Sequence, residues 1–171
     1  MIDIHTHIGP LSFAPDWPTL TAEMLIERMD ENGIEKSVIL TLDSPEAVDG
    51  CLTVPEALKA VEAYPDRLIA FAAVDPRRSK VAEKIRLYRE MGCRGFGEHK
   101  MGLEVDDPRC QVIYETCGEI GWSVLFHHDP QLNIDENGLP RTEQMVKKFP
   151  ETKFIMHGPG WWCAISGDCT V

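Results

Sequence analysis

Six short apolar runs recur along this chain about every thirty residues, and no other feature limits its fold as much. The runs are Met1–His5, Lys36–Leu42, Arg67–Val74, Cys93–Glu98, Trp122–His127 and Lys153–His157, with starts 35, 31, 26, 29 and 31 residues apart. Segments such as Val38-Ile39-Leu40 and Ile69-Ala70-Phe71-Ala72-Ala73-Val74 are apolar without alternation, as in strands buried on both faces. The gaps between them carry helical periodicity: Val81, Ile85 and Tyr88 fall at i, i+4 and i+7, and so do Ile113, Cys117 and Ile120. Ala57, Leu58, Val61 and Tyr64 mark a second helix, and Met145, Val146 and Phe149 a fifth, while Leu25, Met29 and Asn32 give the first a weaker stripe. Gly33, Gly92 and Gly121 stand where helices stop and a left-handed residue is wanted. Pro65 and Pro150 end the other two, because proline cannot continue a helix. Strand, helix, strand at this spacing requires crossover connections and a parallel sheet. No Gly/Ser-rich linker divides residues 1–171, so the chain reads as one α/β domain.

Histidines gather at the ends of these strands. His5 and His7 are two residues apart at the end of the first, and period 2 puts both imidazoles on one face. His127 closes the fifth strand and His157 the sixth. In a closed parallel barrel the C-terminal strand ends share one rim, where the active sites of such barrels lie. Four imidazoles from three strand ends converge there if the sheet curves, and a divalent cation with Zn–N bonds of about 2.0–2.1 Å suits such a set.

Composition narrows the partners. With 17 basic and 28 acidic residues the formal charge is −11, which repels phosphate backbones and argues against nucleic acid. No apolar run approaches the ~20 residues needed to span a bilayer, and the chain opens without a secretory signal pattern. The six cysteines, Cys51, Cys93, Cys110, Cys117, Cys163 and Cys169, contain no Cys-x-x-Cys, so free thiols and a cytoplasmic location are expected.

Ile2-Asp3-Ile4-His5-Thr6-His7, Gly95-Phe96-Gly97-Glu98, His127, and His157 followed by Gly158-Pro159-Gly160-Trp161-Trp162 together resemble the amidohydrolase superfamily, in its amidohydrolase-related branch, which also holds non-oxidative decarboxylases. The resemblance runs the length of the chain. It implies a TIM-barrel-like (β/α)8 fold of which about six units are present. It also implies a divalent ion, expected to be zinc, held by His5, His7 and His127, with His157 either ligating a second ion or orienting the attacking water. The fourth-strand residue that bridges two metals in the family, a glutamate or a carbamylated lysine, corresponds to Glu98 or Lys100. Those two share a face by period 2, so parity leaves the choice open. His128, Trp161 and Trp162 are candidate substrate contacts, and Trp17 is a further candidate wall of an aromatic pocket. The barrel of the polymerase-and-histidinol-phosphatase type also opens on His-x-His, but it needs more histidines on later strands.

The family also places an essential aspartate at the end of an eighth strand, whereas this sequence closes at Val171 soon after its sixth run. The expectation is a domain truncated before strands 7 and 8, by a shortened reading frame or as a short form that completes itself as a homo-oligomer. Three functions follow: a metal-dependent hydrolase attacking the carbonyl of an amide, ester or lactone, a metal-dependent decarboxylase of an aromatic carboxylate, or a catalytically incomplete metal-binding fragment. In the first two the partner is a small-molecule substrate.

Overall fold

The computed structural model describes residues 1–10, 19–47 and 52–158. Six five-residue strands, β1 (Ile2–Thr6), β2 (Lys36–Leu40), β3 (Leu68–Ala72), β4 (Gly95–His99), β5 (Ser123–His127) and β6 (Lys153–His157), form one parallel sheet in chain order. Between them lie helices α1 (Ala22–Glu31), α2 (Val54–Ala63), α3 (Val81–Met91), α4 (Pro108–Glu119) and α5 (Pro140–Lys148). The expected stop glycines are left-handed, at φ 65° for Gly33, 119° for Gly92 and 71° for Gly121. At the N-terminus of α2, Thr53 and Glu56 form a reciprocal capping box, which satisfies two otherwise unpaired backbone donors.

The sheet curls strongly. β1 and β6 are its opposite edges, and a flat sheet would hold them about 24 Å apart at ~4.8 Å per strand. Yet the rings of His5 on β1 and His157 on β6 have centroids 3.7 Å apart. The main core lies between the convex face and the helices and includes Met29, Ile39, Phe96, Ile113, Tyr114 and Val124. A smaller one lines the concave face, where Val38, Leu40 and Leu125 meet Ile69, Phe71 and Ile155. The thiols of Cys93, Cys110 and Cys117 are free and buried, and burial raises the first two to about 11 and about 12. Among the described residues no helix is long and apolar enough to cross a membrane.

Two strands depart from even pairing. In β1, Asp3 pairs with Ser37 and Thr6 with Ile39, so two residues of β1 oppose one of β2. In β4, Phe96 pairs with Val124 and His99 with Phe126, so Gly97 and Glu98 together oppose Leu125. An extra residue of this kind re-aims the side chains that follow it.

At the ends of β2 and β3 an ionic cluster ties the loops together. Arg77 donates to Glu46 at 2.7 Å through both terminal nitrogens and to Asp75 at 2.8 and 2.9 Å, while Arg78 grips Asp43. The Arg77 hydrogen bonds, against a smaller effect of burial, lower the Glu46 carboxyl from its ordinary 4.5 to about 2. A depressed carboxyl stabilises the fold above its unfolded pKa and loses that contribution as pH falls through the folded one. Wild-type stability is therefore expected to drop by about 1–2 kcal/mol, allowing for solvent screening, as pH falls from 4.5 to about 2. Chemical denaturation of Glu46→Gln across that window should give a shallower slope, and equal slopes would refute the assignment.

Candidate functional site

One buried carboxylate gathers the strand-end histidines. Glu98 is 2% exposed. Its Oε1 lies 3.1 Å from Nδ1 of His127, 3.3 Å from Nε2 of His157 and 3.6 Å from Nε2 of His5, and its Oε2 lies 3.1 Å from Nε2 of His7. The histidines come from β1, the residue just past it, β5 and β6, and the carboxylate comes from β4. The extra residue in β4 makes this convergence possible. Gly97 faces the concave side, where a Cβ would sit 3.2 Å from Leu125 Cβ and 3.4 Å from Leu40 Cδ2, and Glu98 faces it too. His99 is turned onto the helix side, fully buried with its ring 5.9 Å from that of Tyr114 and 5.7 Å from that of Phe96. Burial there pushes its imidazole down to about 3.

The donors fall into two groups that share Glu98: His5, His7 and Glu98, and Glu98, His127 and His157, each with ligand atoms within 4.8 Å of one another. Burial opposes ionisation of Glu98, but the surrounding imidazoles of His127, His157, His5 and His7 outweigh it and hold the carboxyl well below the usual carboxylate range. Burial likewise opposes charge on His127, yet its contacts with Glu98 and Asp129 raise its pKa. The set fits a divalent cation. His5 Nε2 is buried without a hydrogen-bond partner, and imidazole nitrogens beside an ionised carboxylate are donors that zinc and its neighbours accept.

A short loop after β5 supports His127. Asp129 Oδ2 lies 2.9 Å from His127 Nε2, while its Oδ1 accepts the backbone N–H groups of Gln131 and Leu132 at 2.7 and 2.8 Å. Asn133 is fully buried, and its side-chain amide donates to the carbonyls of His99 at 2.7 Å and His127 at 2.5 Å, tying the ends of β4 and β5. Close approach at the end of β6 requires Gly158, since a Cβ there would sit 2.6 Å from the His128 carbonyl oxygen.

The other sequence candidates sit as follows. His128 is buried and its backbone N–H donates to the His157 carbonyl at 2.7 Å. Lys100 lies one residue past β4, its carbonyl accepting from Ser44 Oγ at 2.5 Å, and its charge opposes protonation of His127. It is Glu98 that the imidazoles reach. Trp17, Trp161 and Trp162 lie outside the described residues. Asp129 and Asn133 were not among the sequence candidates. Asp129 stands two residues after a strand-end histidine, a spacing that points to it, whereas nothing local marks Asn133.

A family model described as "Amidohydrolase" matches residues 2–162. Sequence comparison with curated proteins finds no match. Among solved structures, a probable 2-pyrone-4,6-dicarboxylic acid hydrolase from Acinetobacter baumannii superposes with a TM-score of 0.58 at 19% identity, over 92% of this chain and 57% of that one. A 5-carboxyvanillate decarboxylase from Novosphingobium aromaticivorans, complexed with manganese and 4-hydroxy-3-methoxy-5-nitrobenzoic acid, gives 0.59 at 20% identity, over 85% and 51%. A 2,6-dihydroxybenzoate decarboxylase from Rhizobium gives 0.58 at 16% identity, over 91% and 65%. The chain thus spans between half and two-thirds of the length of these relatives.

Proposed function

Since the chain belongs to the amidohydrolase family, we propose that its histidine–glutamate cluster holds a divalent cation, zinc by preference, for hydrolysis of a carbonyl substrate such as a lactone, ester or amide. The convergence of four imidazoles on Glu98 is the observation that carries this reading. His5, His7 and Glu98 form one half of the cradle, and Glu98, His127 and His157 the other. In this assignment Glu98, rather than Lys100, occupies the bridging place. A cation bound there supplies Lewis-acid polarisation of a substrate oxygen and lowers the pKa of water towards about 7. His157, on the more open side of the cluster, would complete the second half of the cradle through Nε2, and buried Glu98 keeps the imidazoles oriented. His128, Trp161 and Trp162 remain the proposed substrate contacts. An imidazole-rich donor set suits zinc, while the manganese in the carboxyvanillate decarboxylase makes that ion the direct competitor. Free buried thiols agree with a cytoplasmic location.

A second reading rests on the decarboxylases among the similar folds: the same cluster would hold the carboxylate of an aromatic acid for loss of carbon dioxide. Elemental analysis and product analysis test both. The His5→Ala/His7→Ala variant, at matched folded fraction, should lose most bound metal, and equal metal content would refute the site. With 2-pyrone-4,6-dicarboxylate and 5-carboxyvanillate as probes, acid release without carbon dioxide supports hydrolysis, and carbon dioxide evolution supports the second reading. Metal binding with neither product would leave a binding fragment.

A further inference from the structure

We propose that Asp129 is the positioning residue that fixes the His127 ring proton on Nε2 and turns the bare Nδ1 towards Glu98 and His157. The inference rests on the cation-binding reading of the cluster, but its first test does not need a cation.

A neutral imidazole carries one N–H, and the hydrogen-bond partner of one nitrogen decides what the other presents. Nε2 of His127 lies 2.9 Å from Asp129 Oδ2, and Nδ1 lies 3.1 Å from Glu98 Oε1 and 3.3 Å from His157 Nε2. With the proton on Nδ1, two acceptors, Nε2 and a carboxylate oxygen, would face each other at 2.9 Å. With the proton on Nε2, that short contact becomes a charge-assisted hydrogen bond. The bare Nδ1 then faces Glu98 Oε1 across the longer contact of 3.1 Å, which a bound cation would relieve, and the imidazoles of His7 and His157, at 3.1 and 3.3 Å, can still donate to that carboxylate. Asp129 is also held still. Its other oxygen accepts two backbone N–H groups, and the side-chain amide of Asn133 donates to the carbonyl of His127. Carboxylates that orient ligating histidines in this way commonly contribute about 10–100-fold to metal affinity.

The same two backbone bonds make a sharp test. In Asp129→Asn the amide oxygen should stay where Gln131 and Leu132 donate to it. The NH2 then faces Nε2 and, as a donor, drives the ring proton onto Nδ1, so a substitution that conserves shape should invert the tautomer.

The experiment is 15N-detected histidine NMR of the whole metal-free chain in alkaline solution, followed by Zn2+ affinity by chelator competition. Wild type should show protonated Nε2 and bare Nδ1 at His127, and Asp129→Asn the reverse. Zn2+ affinity should fall by about 10–100-fold without a matching loss of thermal stability. Asp129→Ala serves if the asparagine variant folds poorly, and should give mixed tautomers. An Nε2–H tautomer that persists in either variant overturns the proposal. If the tautomer inverts but wild type takes up no Zn2+, the cation reading fails and the role of Asp129 stands.

Discussion

Glu98→Gln is expected to empty the cluster of metal and reduce any turnover to background. One carboxylate serves both donor groups, so the substitution removes a ligand from each at once. Glutamine keeps the volume but replaces an ionised oxygen with an amide, whose NH2 faces either an imidazole or the cation. Removing one partner of a buried charge pair costs about 3–5 kcal/mol, or roughly 10²- to 10³-fold in cation affinity and more. Metal content after dialysis, read beside the circular dichroism spectrum to match folded fractions, checks it. Lys100→Met is the discriminating control and should retain its metal. Retention in the glutamine variant with loss in the methionine variant would reverse the bridging assignment.

That control is needed because period-2 counting could not separate Glu98 from Lys100. Alternation holds only while pairing is even, and β4 gains a residue between Phe96 and His99. Counting from Phe96, which packs among the helices, would have sent Glu98 to the helix side as well. The extra residue puts it among the histidines and gives the helix side to His99. Such a shift is set by hydrogen bonding to a neighbouring strand some thirty residues away, which local sequence does not record. The strands themselves were legible because each is a short apolar run ended by turn chemistry, and His5, His7, His127 and His157 because each closes such a run. Asn133 was not, since its two acceptors, the carbonyls of His99 and His127, become neighbours only once β4 and β5 pair.

A polypeptide of these 171 residues is expected to self-associate. β1 pairs only with β2 and β6 only with β5, so among the described residues each presents a free row of backbone donors and acceptors, the template for edge-to-edge pairing. The apolar surface beside β1 is exposed as well, Ile2 by 56% and Ile4 by 47%. A closed barrel has no such edges. Light scattering should therefore give a mass above the 19.3 kDa of one chain, rising with concentration. Ile2→Lys/Ile4→Lys should shift the distribution towards monomer, because a charge on an edge strand blocks pairing. A monodisperse 19.3 kDa species would refute this. The edges also meet at the histidine cluster, where the rings of His5 of β1 and His157 of β6 lie 3.7 Å apart at a tilt of 37°. A cation that binds the cluster only in the curled form stabilises it by RT ln(1 + [L]/Kd), about 2.7 kcal/mol at a hundredfold excess over Kd. Zn2+ should accordingly raise the monomer fraction of the wild-type chain and leave that of Glu98→Gln unchanged, which ties the state of the sheet edges to the occupancy of the site they enclose.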